Sequence, residues 1–155
     1  MTFQFGTKSR ANLSGVHPDL EALAEAALAE SVIDFSITEG LRSVARQEKL
    51  VAESKSQTMR SRHLTGHAID VGALVDGKLT WDMPAYVQIA DAFRLASIKT
   101  GIPFEWGCAW GINLTKFECA ASAKGIYAAE RVRQGKKPFF DGPHFQLPFR
   151  DYPEV

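Results

Sequence analysis

The residues able to do chemistry are concentrated in two short segments. The first is Ser61-Arg62-His63-Leu64-Thr65-Gly66-His67-Ala68-Ile69-Asp70-Val71. Read as a strand from Ala68, its period of two puts Ala68, Asp70 and Gly72 on one face and Ile69, Val71 and Ala73 on the other. The second face is wholly apolar and belongs in a core. The first carries one carboxylate between two very small residues, which leaves room above the strand for a metal ion and a substrate. Gly66 permits a tight reversal that folds His63 back toward Asp70, and imidazole and carboxylate are both zinc ligands. The second segment is Asp141-Gly142-Pro143-His144-Phe145-Gln146-Leu147. Here Phe145 and Leu147 point inward, and His144 and Gln146 share the opposite face. Three ligands, His63, Asp70 and His144, leave a fourth tetrahedral position open to water, which hydrolysis requires and a purely structural zinc site lacks. The Gly142-Pro143 bend carries Asp141 back over the same face, placed to act as general base and then general acid without binding the metal.

With these residues in view, the chain resembles the M15 metallopeptidases, which include D-alanyl-D-alanine carboxypeptidases, D-Ala-D-Ala dipeptidases and phage L-alanyl-D-glutamate endopeptidases. The resemblance rests on the pattern SxHxxGxAxD, here Ser61 to Asp70, followed by DxPHF, here Asp141 to Phe145. It implies one zinc ion held by His63, Asp70 and His144, with Asp141 as the catalytic base. Gly40-Leu41-Arg42-Ser43 with Gln47 is similar to the family's GxRS…Q segment, which implies that Arg42 stabilises the developing oxyanion. Phe104-Glu105-Trp106-Gly107 followed by Trp110 is similar to FxWGGxW near the cleft, although Cys108-Ala109 stands where Gly-Asp is common, so no role is carried over for that acidic position. Ser61, Gln47, His67, Trp106 and Trp110 are the candidate substrate-binding residues. His67 competes as a ligand or lines the cleft, Gln146 orients a ligand, and the two tryptophans divide between core and cleft wall.

The fold implied is α+β, a small antiparallel sheet flanked by helices as in hedgehog and D,D-peptidase relatives. The activity implied is hydrolysis of a peptidoglycan stem-peptide bond. The wording SRHLTGHAID and the absence of a secretory signal point to L-Ala–D-Glu cleavage by a phage endolysin. Such a protein gathers in the host cytoplasm and meets the wall after a membrane pore opens. D-Ala-D-Ala carboxypeptidase or dipeptidase activity is the alternative; the carboxypeptidase normally carries an export signal. From other classes, a non-catalytic metal-containing binding module lacks a use for Asp141, and a glycan-cleaving lysozyme needs paired carboxylates and no metal.

Composition is consistent with this reading without suggesting it. The 155 residues suffice for one catalytic domain over 1–155 with no separate wall-binding domain, and 45% hydrophobic with 23% charged content is that of an ordinary globular chain. Eighteen basic residues balance eighteen acidic ones, which argues against nucleic acid as a partner. No stretch approaches the ~20 apolar residues of a membrane span, so no stable membrane association is expected, and a monomer is. Cys108 and Cys119 are read as free thiols.

The elements that must position the site follow from periodicity. Residues 1–16 read as irregular. His17-Pro18-Asp19 opens a helix to about Ser31, with Leu20, Leu23, Ala24, Ala27 and Leu28 on one stripe. Residues 32–37 alternate as a strand, Ser43 caps a helix to about Ser54, and 54–62 is a polar loop. A strand over 68–74 turns at Asp76-Gly77 into 78–81. Pro84 starts the longest helix, carrying Val87, Ile89, Ala90, Phe93, Leu95 and Ile98 to a Gly101 cap. Strands are expected at 104–106 and 144–147. Residues 108–137 give a weak pattern, helical around 126–133.

Overall fold

The segment Ala68–Val75 becomes the central strand because it is apolar on both faces except at Asp70. In the computed structural model, which describes residues 2–153, the helices are α1 (Thr7–Asn12), α2 (Pro18–Glu30), α3 (Val44–Ala52), α4 (Met83–Thr100) and α5 (Ala120–Arg133). The strands are β1 (Asp34–Glu39), β2 (Ala68–Val75), β3 (Lys78–Thr80), β4 (Glu105–Trp106) and β5 (His144–Gln146). They form one antiparallel sheet in the order β1-β2-β5-β4, with β3 also paired to β2. The second edge of β2 is therefore shared: β5 lies beside residues 68–70 and β3 beside 73–75. This is the expected α+β class.

Side-chain parity does what the sequence demands. Ile69, Val71, Ala73, Phe145 and Leu147 are fully buried, and Phe93 of α4 stacks on Phe145 with ring centres 4.0 Å apart. That packing backs the strand that carries His144. The α2 stripe is buried as expected. On α4, however, Leu95 and Ile98 face outward, while Ala85, Ala90, Ala92 and Ala96 are buried beside Ile89 and Phe93. Small residues let α2 and α4 approach closely, so alanine rather than the larger aliphatics marks the inner face. Asp76 and Gly77 both take positive φ, the turn type that suits a two-residue hairpin.

Three expectations change. Residues 7–12 are helical where an irregular segment was expected. TKSRAN has no apolar stripe, and α1 is fixed by polar bonds: Ile37 N–H donates to Ser9 Oγ at 3.0 Å and Asn12 Nδ2 to the Ile37 carbonyl at 2.8 Å. α5 begins six residues before the expected 126, because the Ala120 N–H at its start is capped by Asp91 of α4, a partner distant in sequence. Finally, the space above Gly72 is filled: a Cβ there would meet Leu79 at 2.5 Å and Thr38 at 2.9 Å. The opening lies at the Asp70 end of the strand only. Among the described residues, no helix is long and apolar enough to cross a membrane.

Candidate metal centre

His63 is placed by a 3-10 turn, Arg62–Thr65. Ser61 Oγ accepts the His63 N–H at 3.2 Å to start it, and Gly66 at φ +74° ends it. A side chain on Gly66 would also meet the Gly15 carbonyl oxygen at 2.3 Å, so both the dihedral and the space require glycine. The turn is tied to Gly40–Arg42 in both directions. His63 Nδ1 is 2.9 Å from the Gly40 carbonyl oxygen, and the Arg42 N–H donates to the His63 carbonyl at 2.9 Å. A carbonyl only accepts, so Nδ1 carries the proton and Nε2 presents its lone pair.

Asp70 and His144 meet by strand register, as direct partners across β2 and β5. His144 Nε2 lies 2.8 Å from Gln146 Oε1, an acceptor, which leaves Nδ1 as the nitrogen turned to Asp70. Replacing this acceptor, as in Gln146→Leu, is expected to weaken metal binding about 10–100-fold by freeing the ring. Competition with a chromophoric chelator measures it, and an unchanged affinity would remove Gln146 from this role.

Three donor atoms converge. His63 Nε2 is 3.3 Å and His144 Nδ1 3.4 Å from the same oxygen, Asp70 Oδ1, and one ligand atom from each residue lies within 4.8 Å of the others. His63 Nε2 and Asp70 Oδ1 are buried without a hydrogen-bond partner. Leaving a buried polar atom unpaired costs about 1–3 kcal/mol, and two facing each other need a reason. A cation between them provides one. Donors about 2.0–2.1 Å from a tetrahedral zinc stand about 3.3–3.4 Å apart, which is the spacing of each histidine nitrogen from Asp70 Oδ1. Burial works to raise the Asp70 pKa, but His144 and His63 overcome it and hold the carboxyl well below the usual range. Asp70 likewise raises the pKa of His144 against the effect of burial.

A second layer fixes Asp70. A bulge between Ile37 and Glu39 advances β1 by one residue, so that Glu39 stands opposite Asp70. Without it, Glu39 would share the core face of Phe35 and Ile37. Arg42 donates from Nε and Nη2 to the two Glu39 oxygens at 2.7 and 2.9 Å, and from Nη1 to Gln47 Oε1 at 2.8 Å. Its Nη2 also lies 3.6 Å from Asp70 Oδ2. Burial raises the Glu39 pKa, yet Arg42 outweighs it and the net shift is downward.

Asp141 is held by its backbone. Its N–H donates to the Gly107 carbonyl at 2.8 Å, the Gly107 N–H donates to the His144 carbonyl at 2.8 Å, and the His144 N–H donates to the Asp141 carbonyl at 3.1 Å. A Cβ on Gly107 would sit 2.0 Å from the Asp141 carbonyl oxygen. Gly107→Ala is therefore expected to displace both Asp141 and His144 and to lower turnover about 10²-fold or more. A parental kcat in a folded variant would show that this clamp is dispensable. Burial, joined by the nearby Asp70 charge, raises the Asp141 pKa against the opposing pull of His144, His63 and Arg42. Asp141 lies outside the metal-holding group but lines the same cleft, about 750 Å³ in volume.

The cleft brings together Arg42, Ser61, His63, Asp70, Trp110, Asp141, His144 and Gln146 of the residues singled out in the sequence. Three others lie elsewhere. Gln47 is fully buried, accepting from Arg42 and donating to Ser56 Oγ and the Thr58 carbonyl. Trp106 is fully buried in the core and donates from Nε1 to the Gly142 carbonyl at 2.8 Å, holding the bend after Asp141. His67 lies outside the group of converging donors and outside the cleft lining; its ring lies 5.3 Å from that of His17 and 6.3 Å from that of Tyr152. The structure adds Glu39 and Phe139 to the cleft, and makes the Gly40 carbonyl the orienting partner of His63. A backbone carbonyl has no signature in sequence. Cys108 and Cys119 are free thiols, and burial pushes the Cys108 thiol up to about 12.

A buried cradle of two imidazoles and one carboxylate, open to a cleft beside an unligated carboxylate, defines an α+β hydrolase scaffold able to hold one metal ion. The profile of the phage L-alanyl-D-glutamate peptidase family matches residues 1–148, and the chain belongs to that family. It is 33% identical over 151 residues to the L-alanyl-D-glutamate peptidase of Escherichia phage T5, covering 95% of this chain and 99% of that one. It is 29% identical over 155 residues to the L-alanyl-D-glutamate peptidase of Listeria phage A118, where it spans 98% of its own length but 45% of the relative. The crystal structure of the Serratia marcescens L-Ala D-Glu endopeptidase ChiX superimposes with a TM-score of 0.77 at 43% identity, covering 99% of this chain and 96% of the other.

Proposed function

We propose that this protein is a zinc-dependent endopeptidase that hydrolyses the L-Ala–D-Glu bond of the peptidoglycan stem peptide, acting as a monomeric phage endolysin. The observation that carries the zinc reading is the pair of buried, unpartnered atoms, His63 Nε2 and Asp70 Oδ1, at tetrahedral donor spacing. The bond assignment is supported by what the relatives at 33% and 43% identity are named as cutting.

His63, Asp70 and His144 would hold the zinc ion, which would supply Lewis acidity to the scissile carbonyl and the attacking water. Asp141 takes the proton of that water and returns it to the leaving amine. A carboxyl whose pKa is raised by burial suits this double duty, since it must hold the proton between two steps. Arg42 is assigned a different part from the oxyanion contact expected of it. Glu39 and Gln47 engage its fork, and the nitrogen nearest the cradle lies beside Asp70 Oδ2. It therefore works by fixing the orientation and charge of Asp70. Ser61 starts the turn that presents His63, and Trp110 walls the cleft with its ring centre 5.2 Å from that of His144. Access to the wall from the host cytoplasm then follows opening of a membrane pore.

Mass spectrometry of products from a purified muropeptide tests the bond. A new amino-terminal D-Glu is expected. Release of D-Ala or D-Ala-D-Ala would transfer the assignment to the carboxypeptidase or dipeptidase reading, and intact sacculi after prolonged incubation would favour a non-catalytic module.

A further inference from the structure

Beside the catalytic cleft lies a second groove of about 560 Å³. The two adjoin, with Gln57, Trp110 and Phe139 lining both. The reaction proposed above makes no use of it.

Its floor is built around Phe139. The Phe139 N–H donates to Tyr127 Oη at 3.0 Å, and Tyr127 Oη and Trp110 Nε1 lie 3.2 and 3.1 Å from the Phe139 carbonyl as donors. Three bonds thus hold the backbone of a residue whose side chain is 45% exposed. The backbone bonds therefore present this exposed ring to the groove in a fixed place. The Phe139 and Trp110 rings stack at 6.1 Å and 20°, and Trp110 in turn lies 5.2 Å from His144. A continuous row of rings therefore runs from the metal ligand into the groove. Around it stand Gln57, Glu130, Arg131 and Gln134, amide and charged groups suited to hydroxyls and amides. The wall of the catalytic cleft adds the cations Lys55 and Arg60.

The substrate is asymmetric about the scissile bond. Beyond D-Glu the stem peptide is rich in carboxylates, which suit Lys55 and Arg60 of the cleft. On the other side of the scissile bond there is a single residue, L-Ala, joined by an amide to the lactyl group of N-acetylmuramic acid. At about 3.3–3.6 Å per residue of extended chain, the sugar begins within roughly 10 Å of the reacting carbonyl. A pyranose ring offers a C–H face to an aromatic side chain and hydroxyl and acetamido groups to polar neighbours, the pairing that small-ligand grooves use.

Resting on the proposed cleavage of L-Ala–D-Glu, we propose that the Trp110–Phe139 groove binds the muramyl sugar, so that the enzyme prefers stem peptides still attached to glycan. The test compares kcat/KM on a disaccharide-tetrapeptide and on the same tetrapeptide without sugar. The parental enzyme is expected to favour the first at least tenfold. Phe139→Ala and Gln134→Trp, the latter filling the groove from an exposed position, are each expected to bring the ratio toward one. A parental ratio near one, or variants that leave the ratio unchanged, would overturn the proposal. Calorimetry with the Asp141→Asn protein gives a second readout independent of turnover. The sugar-bearing ligand is expected to bind at least tenfold tighter than the bare peptide, and Gln134→Trp to erase the difference; equal affinities would overturn it. Failure of the parental enzyme to cut either substrate at L-Ala–D-Glu would instead sink the bond assignment, while the calorimetric comparison would still decide the groove.

Discussion

Asp141→Asn is expected to keep the metal and lose turnover on peptidoglycan by about 10²–10⁴-fold, the range for removal of a positioned general acid–base. The substitution is nearly isosteric, and the backbone bonds through Gly107 that hold residue 141 do not involve the side chain. Fold and metal stoichiometry should therefore match the parent, as circular dichroism and metal analysis would show. The amide cannot accept a proton from water, so the loss belongs in kcat rather than in KM. A variant that solubilised sacculi at the parental rate would require another base. Loss of metal together with activity would instead make Asp141 part of the metal-holding set.

The second large effect concerns the metal itself. Removing it with a chelator is expected to abolish activity and lower Tm by roughly 10 °C. The shift follows from linkage: an ion present at about 1,000 times its Kd stabilises the folded state by about 4 kcal/mol, and each kcal/mol is worth about 2–4 °C in a domain of this size. Removal leaves His63 Nε2 and Asp70 Oδ1 buried without partners. His63→Ala and His144→Ala should be inactive after dialysis, hold less than one equivalent of zinc, and show no further fall in Tm with chelator. Stoichiometric zinc in dialysed His144→Ala would remove that residue from the ligand set. If chelator shifted the Tm of His63→Ala as far as that of the parent, the ion would be bound elsewhere.

Much of the centre was legible from local pattern. The alternation around Asp70 and Phe145 assigns each residue to a face, because strand geometry has a fixed period. The resemblance to M15 metallopeptidases points to His63, Asp70, His144 and Asp141 as well. What escaped was whatever depended on a break in period or a distant partner. Glu39 is the clearest case: alternation puts it with Phe35 and Ile37, and only the bulge turns it to Asp70. α1 was missed because polar bonds to β1, rather than an apolar stripe, fix it. Trp106 and Gln47 belong to motif-like segments, yet both are buried as scaffold.

Local sequence was enough for the donor types at the centre, the strand faces that present Asp70 and His144, and the glycine turn that returns His63. These depend on interactions within a few residues, and short-range geometry permits few alternatives. Which atoms of those donors face one another, and what supports them, depends on packing between distant parts of the chain. The 3.3 and 3.4 Å spacings around Asp70 Oδ1 arise where two strands and a turn, far apart in the chain, are brought into register by a common core. Arg42 shows the same division. Its charge was readable in the sequence, but whether it meets substrate or steadies a ligand depended on Glu39 and Gln47, which the fold placed at its sides.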